Sequence, residues 1–134
     1  MAKHSIRVKS ATLYEIETND KGDTISFDPS DITLTSRLMK AFDKIDRLTS
    51  EYEAKAKEID ERPDEPLNEF VTRNQYDGTQ LINEMYADAR AALDGFLGDG
   101  ACQKIFGDSN YLTMFDDLKE QLEPHFKAIG ISAA

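Results

Sequence analysis

Two histidines, one cysteine and 26 carboxylates are the side chains from which this chain could assemble a reactive centre. The richest local pattern is Asp20-Lys21-Gly22-Asp23-Thr24-Ile25-Ser26-Phe27-Asp28, which has the wording of a calcium-binding EF-hand loop. Such a loop needs oxygen ligands at positions 1, 3, 5 and 12, with glycine at 6 for the sharp turn. Placing Ile25 at the usual apolar eighth position puts Thr18 first, Gly22 fifth, Asp23 sixth and Pro29 twelfth. The fifth ligand, the glycine and the bidentate acid are then all missing, and a strand-like run stands where a helix should enter. A hairpin turn is the expectation.

The remaining candidates are isolated. His4 lies in a basic terminus and His125 follows Pro124, neither at helical spacing from a second histidine or a cysteine. Cys102 occupies a glycine-rich bend beside Lys104, a cation able to lower a thiol pKa, although such a cysteine is more often packed than reactive. No glycine-rich loop ends in Lys-Ser or Lys-Thr, and Gly98-Asp99-Gly100 lacks the strand and further glycine of a dinucleotide fingerprint. One cysteine also excludes an internal disulfide and a multi-cysteine zinc site. The expectation is a protein that is no enzyme and uses no cofactor or metal.

The elements that carry these residues are legible in the hydrophobic periodicity. Residues 12–18 and 24–28 are β-branched and aromatic runs separated by turn formers at 19–23, which predicts an antiparallel β-hairpin over 12–28 with Gly22 at positive φ. Ile6 and Val8 alternate with Arg7 and Lys9, so a third strand is possible. Asp28-Pro29-Ser30-Asp31 stops the sheet, and Ser30, Asp31, Thr33 and Thr35 are candidate helix caps. Leu34, Leu38, Phe42, Ile45, Leu48, Tyr52, Ala56 and Ile59 then recur at helical spacing, and Pro63 and Pro66 end that helix. A second pattern begins at Leu67 and takes in Phe70, Val71, Leu81, Ile82, Met85, Tyr86, Ala89, Leu93, Phe96 and Leu97; Gly78 leaves one kinked helix or two. Glycines bracket a short helical turn over Ala101–Phe106, and a last amphipathic helix carries Leu112, Phe115, Leu118, Leu122 and Phe126. Pro124 should kink or end it, and residues 128–134 should fray.

The predicted fold class is mainly α with a small N-terminal β-hairpin (α+β), built as a long helical hairpin plus short C-terminal helices. All 134 residues read as one domain: a basic segment at 1–10, the hairpin at 12–28, a helical region at 33–127 and the tail. No apolar run approaches the ~20 residues that span a bilayer, and the N-terminus lacks an export core, so a cytoplasmic setting is expected. A formal net charge of −10 repels phosphate backbones and argues against nucleic acid. Residues 51–69 alone hold eight acids and three bases, while Lys3, Arg7 and Lys9 make the start basic.

What remains is surface. The distal end of the first long helix keeps only Tyr52, two alanines and Ile59 on its apolar stripe, so Tyr52 and Ile59 are the candidate partner-binding residues. A helical partner or a second copy of the chain would complete that face.

The layout of hairpin, Asp-Pro-Ser-Asp stop, long acidic helix and the glycine-punctuated block Phe96-Leu97-Gly98-Asp99-Gly100-Ala101-Cys102-Gln103-Lys104-Ile105-Phe106-Gly107 resembles the tail assembly chaperones of tailed bacteriophages and prophages. The resemblance covers roughly residues 12–127. It implies a non-enzymatic protein of the host cytoplasm that binds a helical tape-measure protein and helps recruit tail-tube subunits; it carries over no catalytic or binding residue. The alternatives are a small oligomeric structural or regulatory phage protein and, more distantly, an acidic DNA mimic. Lys55, Lys57, Arg62 and Arg73 interrupt the acidic rows and argue against mimicry.

Overall fold

The computed structural model describes residues 3–6 and 13–130. Its elements follow as β1 (Tyr14–Glu17), β2 (Thr24–Phe27), α1 (Leu34–Glu61), α2 (Arg73–Leu97), α3 (Ala101–Phe106) and α4 (Met114–Ala128). The protein is mainly helical with a small antiparallel sheet, as the periodicity predicts. β1 and β2 pair in the register Tyr14↔Phe27 and Ile16↔Ile25, so these four side chains share one face. That face lies on the helices, where Phe27, Phe96 and Phe126 meet with ring centroids 5.2–5.9 Å apart. The helices thereby supply the cover that an isolated hairpin lacks in water. Among the described residues the sheet has two strands: Ile6 is exposed in irregular backbone, and Arg7, Val8 and Lys9 lie outside them.

Asn19 joins hairpin to helix. Its side-chain oxygen accepts from the Lys21 and Asp23 backbone N–H groups, and its Nδ2 donates to Asp23 and to the Lys104 carbonyl. Gly22 takes φ +85°, as the turn requires. The Asp-Pro-Ser-Asp stop consists of two successive side-chain turns, with the Asp28 carboxylate accepting from Ser30 and that of Asp31 from Thr33. α1 then starts at Leu34 and runs 28 residues, ~42 Å. Of the candidate caps, Thr33 holds the N-cap position, yet its hydroxyl makes no capping bond because it is turned to Asp31.

Three sequence expectations are corrected. The second long helix does not begin at Leu67: residues 63–72 form a loop, and α2 starts at Arg73 behind a reciprocal cap between Thr72 and Gln75. From there α2 is a single helix through Gly78. α4 begins at Met114, leaving Leu112 91% exposed in the preceding loop. Pro124 does not end it: α4 continues to Ala128, with Glu120 and Pro124 both on its exposed side, where the carbonyl that proline cannot bond is not sealed in the core. Leu122 and Phe126 hold both turns on the core, and Ile129 packs against it too. Residues 131–134 of the expected tail lie outside the described residues.

α1 and α2 form the predicted antiparallel helical hairpin. One face of its proximal half is covered by β1–β2, α3 and α4. The distal half, from about Thr49 to the loop and back to Met85, extends beyond the start of α4 as a two-helix arm.

Candidate interaction surface

Tyr52, one of the two residues singled out for a partner, is committed within the chain. It is 9% exposed, its Oη donates to Asp88 Oδ2 at 3.0 Å, and the Lys55 ammonium lies 4.9 Å from its ring centroid. Donation to the Asp88 carboxylate, reinforced by burial and neighbouring acids, raises the Tyr52 pKa above its ordinary value. Ile59 is half-buried two turns further along α1. The structure therefore places Tyr52 on the hairpin's own inner seam, with Ile59 on the same stripe of α1.

The arm's tip carries one of the exposed apolar patches; others lie at Ile32 and at Tyr111–Leu112. Phe70 is 88% exposed, with Leu67 and Tyr76 beside it in sequence and also exposed. The loop that carries them is firmly held. The Phe70 and Val71 N–H groups donate to Asn68 Oδ1, and the Leu67 and Asn68 N–H groups donate to the Val71 carbonyl. Pro66 and Thr72 bridge, while Arg73 donates from its backbone to the Glu65 carbonyl and from Nε to the Glu65 carboxylate at 2.8 Å. Asn74 and Glu65 backbone N–H groups donate to Asp64 Oδ1; the Asn74 bond first, then the Thr72 hydroxyl, hold that carboxyl below its usual range. Arg62 clamps the two helices by reaching Asn74 and Asp77 of α2. Sequence periodicity missed this site because it assigned Phe70 to a buried helical stripe. The signal available was Asn68, a residue that forms side-chain turns, between Pro66 and Thr72.

All four basic side chains of the arm are occupied locally: Lys55 on Tyr52, Lys57 with Glu61, Arg62 with Asp77, and Arg73 with Glu65. Ten acids lie between Glu51 and Glu84, so the arm presents a carboxylate excess outward.

The other candidates resolve into structural parts. Cys102 is buried, with its backbone N–H bonded to Asp94 Oδ1 and its Sγ 3.5 Å from the Arg90 carbonyl oxygen. Burial first, then the Asp94 carboxylate, pushes the thiol up to about 12, so Lys104 does not activate it. The Lys104 ammonium instead donates to the Thr24 carbonyl. His125 Nδ1 shares a 2.9 Å hydrogen bond with the Tyr14 hydroxyl and ties α4 to β1. The Cys102–Gly107 block positions α3 and is bound to α2 by Arg90, whose guanidinium donates to the Gly107 and Ser109 carbonyls and to Asn110. Among the described residues no group of three His, Cys, Asp or Glu side chains is placed to hold a metal, and no helix is long and apolar enough to cross a membrane.

No protein-family model, no curated protein and no solved structure matches this chain.

Proposed function

We propose that the protein is a non-enzymatic binding protein whose helical arm engages a protein partner, in the manner of a tail assembly chaperone holding a helical tape-measure-type client. The observation that carries this reading is Phe70, 88% exposed on a loop whose backbone is tied down on both sides. Leaving a Phe in water forfeits ~1.5–3 kcal/mol that burial would return, and a rigid loop loses little entropy when a partner covers it. An aromatic anchor ringed by polar residues has the make-up of an interface hot spot. The carboxylate excess selects for a client with basic flanks around an apolar helical stripe, and it repels nucleic acid.

The test is co-purification with the tape-measure protein encoded by the same genome. Wild type should retain the client and Phe70→Ala should weaken capture by about tenfold or more, with an unchanged melting temperature, because the side chain contributes little to the core. Undiminished capture by Phe70→Ala, or no capture by wild type, would end this reading. A second reading, a small self-associating protein, is favoured by the charge order along α1.

A further inference from the structure

The outward face of α1 changes sign along its length. Arg37, Lys40, Lys44 and Arg47 are all exposed and recur at spacings of three, four and three, which places them on one stripe. Beyond Thr49 the same stripe continues with Glu51, Ala54 and Glu58. From Leu34 to Arg47 the helix holds four bases and two acids; from Leu48 to Glu61 it holds two bases and five acids. Arg37 meets Asp31 at 3.3 Å, whereas no carboxylate among the described residues pairs with Lys40, Lys44 or Arg47.

The basic half of the stripe borders an open groove of about 330 Å³ between α1 and α2. Arg37, Lys40 and Lys44 line one side, and Ala91, Ala92 and Gly95 the other. Gly95 stands in the last turn of α2, and a Cβ there would meet nothing within 4 Å. The chain's own packing therefore gives no steric reason for glycine at this position.

We propose that a second copy of this chain occupies the groove, with its α1 antiparallel to the first about a two-fold axis at the height of Thr49. Lys40 and Glu58 lie nine residues to either side of Thr49, ~13 Å along the axis, so each Lys40 meets the partner's Glu58. Arg47 and Glu51 lie two residues to either side and pair in the same way. Lys44 then faces the partner's Ala54, whose small side chain lets the helices approach closely over Ala91 and Gly95. The α1/α2 layer is ~42 Å long and ~20 Å wide, about 800 Å² of face, matching what each partner of a standard interface buries. This face lies along the side of the hairpin and leaves the Phe70 tip free, so the proposal stands whether or not the client reading holds.

Sedimentation velocity on the full chain tests it with charge reversals at exposed positions. Wild type should sediment as a dimer in about 50 mM salt and dissociate progressively toward about 500 mM, because the pairs are screened. Lys40→Glu and Glu58→Lys should each weaken dimerisation about tenfold or more, since each creates two like-charge contacts per dimer. An equimolar mixture of the two variants should recover the dimer, because both contacts of the mixed pair then join opposite charges. Circular dichroism should be identical for all three proteins. A wild type that stays monomeric at about 100 µM in low salt, as it would if the occupant were some other acidic protein, overturns the proposal. So does a dimer that both single variants leave intact, or a mixture that fails to recover it.

Discussion

At the scale of single residues, the chemistry that composition offers is absorbed by structure. Cys102 is a core side chain whose neutral form the fold prefers. Its thiol keeps its proton up to about 12 when folded, against an ordinary value of 9.0 when exposed. Where the folded pKa is raised, the unfolded chain releases its proton first, so the stability associated with the buried neutral thiol is intact below 9.0 and lost as pH rises toward 12. Wild type should therefore lose melting temperature over that window, and Cys102→Ala should show a shallower decline. An equally steep decline in Cys102→Ala would assign the alkaline loss to other groups. Phe70 is the opposite case, an apolar side chain that the fold leaves in water on a loop built to hold it there.

At the scale of elements, the long helical hairpin determines what Tyr52 and Ile59 do. Tyr52 faces α2 rather than solvent, because a helix too long to be covered by the compact end of the molecule is covered instead by its antiparallel neighbour. Tyr52→Ala with Ile59→Ala should cost about 3–5 kcal/mol through cavity formation and the lost bond to Asp88, and should lower the melting temperature markedly. Dimer dissociation, measured under conditions where the double variant stays folded, should change little. A selective loss of assembly with an unaltered melting temperature would return these two residues to a partner surface. Asn19, Arg90 and His125 act at the same scale. Each ties one element to another by side-chain hydrogen bonds that no periodicity announces.

At the scale of the whole molecule, charge is segregated, with a basic stripe on the first half of α1 and an acid excess on its second half. In the Asp20–Asp28 turn the oxygens of Asp23 are engaged internally, its carboxylate accepting from Asn19 and its carbonyl from Thr18. Millimolar calcium should accordingly leave the melting temperature unchanged, since a ligand stabilises only the state that binds it. A rise of several degrees would reopen that loop as a site. The acidic arm, the basic stripe on α1 and the exposed Phe70 tip divide the surface into regions of distinct chemistry, two of which we assign to partners.

Local sequence was enough to determine the element types. Alternation over Tyr14–Glu17 and Thr24–Phe27, helical recurrence from Leu34 to Ile59 and the glycines around Ala101–Phe106 each act within a few residues, where backbone sterics and one apolar face decide the conformation. The hairpin, the stop before α1 and the long first helix were legible for that reason. Tertiary structure alone decided where apolar residues without a strong local preference would go. Phe70 and Leu112 sit at helical spacing from other apolar residues, yet the Asn68 side-chain turn holds Phe70 in one loop and the Tyr86 hydroxyl holds the Leu112 carbonyl in another, and Pro124 stays within α4 on its exposed side. Tyr52 is inside because α2 returns alongside it, a contact 36 residues away in sequence. Pairing between distant segments depends on how faces of the whole chain cover one another, and no window of local sequence contains that information.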